Sequence, residues 1–176
     1  MTEELQLKSI ELAELRELLD LEKIRKVIQF YSQLMDGRDF AGRSRLYTED
    51  AIVEWGPYGT CHGREAIRER LIASHPGRLP YDGFHCTTNE WIELVGPEAA
   101  VSRNYLTDIW PIPADAPRGP ITHSGYPENP VVLYADYENE YRKVGREWQI
   151  SKSAIEFVWP ERIVSKAFPR LMGLHT

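Results

Sequence analysis

Phe30-Tyr31-Ser32-Gln33-Leu34-Met35-Asp36-Gly37 closes a run whose apolar residues, Leu18, Leu19, Ile24, Val27, Ile28, Tyr31, Leu34 and Met35, recur at helical spacing. That is close to the i, i+3, i+4, i+7 pattern of a helix with one buried face. The spacing predicts a long helix that begins upstream, near Glu3, and ends at Asp36. Gly37 follows as a residue that tolerates left-handed backbone angles after the last turn. Tyr31 then faces the core and Asp36 sits at the helix end. A phenol and a carboxylate at the close of one helix, with His85 some fifty residues on, are groups able to move a proton.

Working outward, a short helix is expected over Phe40 to Leu46. Thr48-Glu49-Asp50 reads as a turn into a first strand, Ala51 to Trp55. A further helix covers residues 63–72, apolar at Ile67, Leu71 and Ile72 and ended by His75-Pro76-Gly77. After residue 83 the period changes from helical to alternating, giving strands at Phe84 to Val95, Ala99 to Trp110, Val131 to Val144 and Trp148 to Trp159. Gly96-Pro97-Glu98 and Gly145-Arg146-Glu147 are short turns, so these strands form antiparallel hairpins. Helices followed by a meander give an α+β class in one domain, residues 1–176, with a helical extension over about 1–14. Residues 111–130 hold six of the twelve prolines, which excludes regular structure and suggests a lid, a subunit contact or a surface loop. The tail from 160 to 176, with Ile163, Val164, Phe168, Leu171 and Met172, is apolar enough to dock.

Composition narrows the function. The chain is 42% hydrophobic and 27% charged, ordinary for a globular protein. Its net charge is −6, and Lys and Arg are scattered rather than gathered into the basic stripe that nucleic acid requires. No apolar run approaches the ~20 residues that span a bilayer, and the N-terminus has no secretory signal pattern. A cytoplasmic protein without nucleic-acid or membrane partners is expected, with Cys61 and Cys86 as free thiols. The five histidines include no pair at i, i+3 or i+4, and no phosphate loop follows Gly56, Gly59 or Gly63, so neither metal nor nucleotide cofactor is expected. A Leu5, Leu12, Leu15, Leu19 stripe favours an oligomer.

Four motifs occur in order: a helix ending Tyr-x-x-x-x-Asp-Gly, Gly-x-x-x-Gly-Arg-Glu-Ala-Ile leading into a helix, a His opening a strand, and a last Gly-x-x-Trp-x-Ile hairpin. Over roughly residues 15 to 160 this set resembles the SnoaL-like branch of the nuclear-transport-factor-2-like (NTF2-like) superfamily. Within it the chain is most similar to the dehydratases, in particular bile-acid 7α-dehydratase and more distantly scytalone dehydratase. The resemblance implies a cone-shaped fold, a strongly curved, mostly antiparallel sheet wrapped on helices around an apolar pocket, in a homodimer or homotrimer. Tyr31, Asp36, His85 and Asp108 match the family's catalytic tyrosine, aspartate, histidine and strand acid. Trp55, with Tyr58 after it, stands near the place of a second tyrosine, and the second histidine of scytalone dehydratase is missing from the 99–110 strand.

Dehydration beside a carbonyl needs a base for the carbon acid, a holder for the enolate oxygen and an acid for the departing hydroxide. His85 is the natural base and Asp36 its orienting partner. Tyr31 can donate to a substrate oxygen, and Asp108 can protonate or anchor the leaving hydroxyl. Asn104, Leu106, Asp108 and Trp110 share one strand face, so Asn104, Leu106 and Trp110, with Trp55 and Tyr58, are candidate substrate contacts. The expected activity is a cofactor-independent lyase acting on a hydroxylated hydrophobic molecule such as a steroid or polyketide. The alternatives are an isomerase, cyclase or dehydrohalogenase using the same proton abstraction, or a non-catalytic binding or scaffold module.

Overall fold

The computed structural model describes residues 9–75, 80, 83–110 and 131–159. The helix start near Glu3, the proline-rich segment 111–130 and the tail 160–176 lie outside the described residues.

Helix α1 spans Ser9–Asp36, roughly 42 Å at ~1.5 Å per residue. Its second half buries Ile24, Val27, Ile28, Tyr31 and Met35 as one stripe, as the spacing predicts. The first half differs: Ile10, Leu12, Leu15, Leu18 and Leu19 are exposed. Asp20 ties the helix to the sheet, accepting from Lys143 Nζ at 2.7 Å and Trp148 Nε1 at 2.9 Å.

At the helix end the Arg38 N–H donates to the Met35 carbonyl at 3.0 Å and the Asp39 N–H to the Leu34 carbonyl at 2.9 Å, the paired bonds of a Schellman motif. The left-handed residue is Arg38, at φ 60°, and not Gly37 as the sequence suggests. Gly37 N–H still reaches the Gln33 carbonyl at 2.9 Å in the α pattern, so the reversal comes one residue later. Asp39 then caps α2, Phe40–Ser44, its side chain accepting from the Gly42 N–H at 2.6 Å. A Cβ on Gly42 would lie 2.2 Å from Asp39 Oδ2, so this cap requires glycine.

Helix α2 stops short of the expected Leu46, whose carbonyl is taken by the Ile150 N–H at 2.8 Å. Strand β1 runs Tyr47–Glu54, starting four residues before the expected Ala51. The presumed turn residues 48–50 lie inside it: the pairing of β1 with the last strand slips between Tyr47 and Ile52, a bulge that absorbs them while Tyr47 and Thr48 stay buried. A 3-10 turn at Gly56–Tyr58 and a short strand β2, Thr60–His62, follow. Three residues are too few to show alternation, which is why the sequence does not reveal β2. Helix α3 covers Arg64–Ser74, followed by β3 Phe84–Gly96, β4 Ala99–Trp110, β5 Val131–Val144 and β6 Glu147–Trp159, all within about two residues of expectation.

The six strands form one curled sheet in the order β2-β1-β6-β5-β4-β3, antiparallel except between β1 and β6. Helix α1 lies against β3 and β6, and the core, with Tyr47, Val53, Ile67 and Ile150 fully enclosed, fills the space between helices and sheet. β3 is an edge strand covered by α1.

Candidate active site

Asp36 and Ser32 are one helical turn apart on α1, and His85 and Thr87 are two residues apart on β3. Four helical residues rise ~6 Å and two strand residues ~6.6 Å, so the two pairs fall in register. Ser32 Oγ meets Thr87 Oγ1 at 2.5 Å. Asp36 Oδ1 accepts from His85 Nδ1 at 2.7 Å, and the same carboxylate accepts the His85 backbone N–H at 3.1 and 3.2 Å. An edge strand leaves such an outward N–H without a strand partner, and Asp36 supplies the acceptor.

With Nδ1 donating to Asp36, the lone pair of the neutral ring sits on Nε2. Nε2 faces Asp108 Oδ1 at 3.6 Å, because His85 and Asp108 are direct cross-strand partners. That separation exceeds a hydrogen bond, and it lets Nε2 act on a third group. The side chains of His85, Asp36 and Asp108 are 17%, 13% and 15% exposed, so the constellation is sheltered and still reachable. Cys86 points the other way, to the exposed face.

Next to Thr87 lies a small cleft with room for about one water molecule, lined by Ile28, Tyr31, Thr87, Asn104, Tyr137, Asn139, Tyr141 and Ile150. Thr87 is one alternation step from His85 on β3, while His85, Asp36 and Asp108 are not themselves among the residues lining the cleft. Its floor is a polar network: Ser102 Oγ and Tyr141 Oη lie 2.9 Å apart, and Asn139 Nδ2 donates to Ser102 Oγ at 3.3 Å and Asn104 Oδ1 at 3.4 Å. The expected pocket was apolar; hydroxyls and amides share this lining with two isoleucines.

A family model for the SnoaL-like domain matches residues 16–154. The chain belongs to this family. Its fold is that of the NTF2-like, cystatin-like proteins. An NTF2-like protein from Novosphingobium aromaticivorans aligns at TM-score 0.67 and 20% identity, over 88% of this chain and 92% of that one. A scytalone dehydratase-like protein from the same organism gives 0.65 and 19%, over 81% and 86%. A hexachlorocyclohexane dehydrochlorinase, LinA type 3, from Novosphingobium barchaimii gives 0.67 and 16%, over 89% and 98%. No curated protein matches the sequence.

In this SnoaL-like chain the remaining candidates are placed unevenly. Asn104 lines the cavity and Leu106 is buried on the same face of β4; the Trp110 side chain lies outside the described residues. Trp55 packs half-buried against the core, and Tyr58 meets Phe157 edge-on at 6.1 Å. Both follow β1, four strands from β3 in sheet order. Among the described residues no cluster of three or more side chains is arranged to hold a metal ion, and no helix is long and apolar enough to cross a membrane.

Tyr31 points away from Asp36. Five residues turn the helix by about 140° modulo a full turn, so Tyr31 joins a different cluster. Its ring meets Tyr137 at 5.5 Å and Tyr47 at 6.2 Å, both edge-on, and its hydroxyl donates to Tyr137 Oη at 3.4 Å. Over that ring, 3.9 Å from its centroid, lies the guanidinium carbon of Arg43. Arg43 is only 3% exposed. Burial opposes its charge, but the Tyr31, Tyr47 and Tyr137 phenols draw its pKa above the ordinary value. Burial also pushes phenols up, and Tyr47 and Tyr137 stand well above the usual range. For Tyr31 the Arg43 charge and the bond with Tyr137 outweigh burial, and its pKa is lowered.

Sequence reasoning missed Arg43, Tyr47, Tyr137, Asn139 and Tyr141. The last three were findable, since Leu133, Ala135, Tyr137, Asn139 and Tyr141 alternate along β5 and share a buried face.

Proposed function

We propose that this protein is a cofactor-independent lyase that removes water from a hydroxylated hydrophobic small molecule such as a steroid or polyketide. The observation that carries the reading is His85, held through Nδ1 by Asp36 at 2.7 Å while Nε2 looks past Asp108 at 3.6 Å, one alternation step from the cleft-lining Thr87. His85 Nε2 takes the proton from the carbon next to the substrate carbonyl, and Asp36 stabilises the imidazolium that forms. The electron pair moves into the carbonyl, whose oxygen is received by the hydroxyl-rich lining at Tyr31. When the enolate collapses, the carbon–oxygen bond to the leaving hydroxyl breaks. The proton that His85 Nε2 took from carbon joins the hydroxyl as it departs, with Asp108 facing it, and water leaves.

The cleft holds about one water molecule, far less than the ~300–1,000 Å³ of sites for drug-sized ligands, so a substrate binds only if the lining side chains move apart to admit it. An isomerase, cyclase or dehydrohalogenase begins with the same proton transfer, and the dehydrochlorinase among the fold neighbours keeps the last in view. The amides and phenols of the lining favour an oxygenated substrate. The exposed Leu12, Leu15 and Leu19 support self-association as a dimer or trimer, which light scattering reads directly.

A thermal-shift screen of hydroxylated steroids, phenolics and polyketides identifies ligands, because binding at ~100 times Kd adds about 2.7 kcal/mol to stability. Hits are then incubated with enzyme, and the product mass is read for loss of one water. Replacing His85 with Ala should lower that turnover ~100-fold or more while the thermal shift persists. Turnover within a few-fold of wild type in a folded His85→Ala variant rejects the proposal.

A further inference from the structure

A guanidinium removed from water needs a counter-charge, and among the described residues none is paired with Arg43. Among the described residues no carboxylate forms an ion pair with it, and its Nε is buried without an acceptor. Its neighbours are the rings of Tyr31, Tyr47 and Tyr137. A cation against a phenol ring is attracted to the π face of the neutral group and more strongly to its anion. A guanidinium in this place lowers the cost of ionising the phenol it faces most closely.

Geometry selects which phenol. Tyr31 lies directly under the guanidinium and also lines the cavity. Tyr47 does not line the cavity, and Tyr137 lines it as the acceptor of the Tyr31 hydroxyl. We propose that Arg43 is a positioning residue that acts through Tyr31: its buried charge makes Tyr31, out of the tyrosines packed together there, the proton donor to the substrate's carbonyl oxygen. The inference rests on the lyase reading for the identity of that oxygen, and on the fold alone for the Arg43–Tyr31 pairing.

The transfer balances. As His85 removes the carbon proton, the Tyr31 O–H bond breaks and an O–H bond forms on the substrate oxygen, leaving an enol and a phenolate. The phenolate charge sits beneath Arg43 and beside the Tyr137 hydroxyl, which can donate to it. When the enol expels hydroxide, its O–H proton returns to Tyr31 and the carbonyl is restored. The carbon proton held by His85 joins the expelled hydroxide as the water that leaves, so no protein group is consumed.

Titratable and charged groups facing Tyr31 are Arg43 from α2, Tyr47 from β1, and Tyr137 and, farther off, Tyr141 from β5. β3 and β6 contribute uncharged Thr87 and Ile150 to the same cavity. Arg43 is thus the one cation in the set, and removing it has a sign: the Tyr31 phenol should become less acidic. An enzyme that needs Tyr31 protonated loses activity as pH rises through that phenol's pKa, so the alkaline limb of its pH profile should move up in an Arg43→Met variant.

Tyrosine ionisation in the intact protein, followed by ultraviolet absorbance and by the ring-carbon NMR signal of labelled tyrosine, tests the pairing without any substrate. In wild type one buried phenol should titrate below the others and vanish in Tyr31→Phe. Arg43→Met should move it up, and Arg43→Lys, which keeps the charge, should retain much of the effect. A folded Arg43→Met protein with an unchanged Tyr31 titration overturns the proposal. So does a wild-type protein in which Tyr31 titrates no lower than Tyr47 and Tyr137, a result that stands even if Arg43→Met does not fold. These outcomes are read whether or not the protein proves to be a lyase.

Discussion

His85 and Arg43 approach different faces of the same helix end, and their surroundings are opposites. His85 stands between two carboxylates, Asp36 at 2.7 Å and Asp108 at 3.6 Å, and is partly open to solvent. Arg43 is closed in among phenols with no carboxylate ion pair among the described residues. A carboxylate on Nδ1 fixes which tautomer the imidazole presents, and a phenol beneath a positive charge favours giving up its proton. Ser32 and Asp36 turn one face of α1 to β3, and Tyr31 and Met35 turn another to the core. One face of the helix end thereby holds an oriented base and the other a phenol under a cation, the two roles that base and acid require.

Asp36→Asn should strike this contrast hardest. The amide keeps the shape but loses the charge that supports the imidazolium, and its NH2 replaces one of the two oxygens that accept from the His85 N–H groups. Turnover should fall about 100-fold or more, with the Tyr31 titration unmoved because Asp36 lies on the other helix face. A parallel loss of Tyr31 acidity would show that the two regions are one electrostatic unit. Asp108→Asn should cost less, on the order of tenfold, since Asp108 stands 3.6 Å from Nε2 rather than in a direct hydrogen bond. Equal losses for the two variants, measured as kcat, would remove the distinction between an orienting carboxylate and one that handles the leaving group.

The base side of this contrast was legible in the sequence and the acid side was only half so. Tyr31, Asp36, His85 and Asp108 stand out because periodicity places each on a particular helix or strand, and β4 and β5 have the bounds that alternation gives. Arg43 left no such trace. It sits in a five-residue helix, too short for a period, and an arginine beside Ser44 reads as surface. Tyr47 was hidden by Thr48-Glu49-Asp50, whose turn-like composition is overridden by pairing with β6 across a bulge. The helix ends at Asp36 as expected, but the left-handed residue expected at Gly37 falls at Arg38, because hydrogen-bond geometry rather than residue preference fixes where a Schellman motif closes. In each case the deciding partner was distant in the chain, where local pattern carries no information.

Gly42→Ala offers the gentlest probe of how Arg43 is held. The new Cβ would lie 2.2 Å from Asp39 Oδ2 and 2.6 Å from its Cγ, so the Asp39 side chain must swing out and release the Gly42 N–H. Loss of such a cap costs about 1 kcal/mol, partly offset by the better helix propensity of alanine. At roughly 2–4 °C per kcal/mol for a chain of this size, the melting temperature should fall by no more than a few degrees. Arg43 is the next residue on α2, so loosening the cap should also relax its stacking on Tyr31 and raise the phenol's titration part of the way towards that of Arg43→Met. His85 and Asp36 are held by α1 and β3 and should keep their contact. A Gly42→Ala protein that melts lower but titrates as wild type would mean that the tyrosines, and not the cap, hold the guanidinium in place.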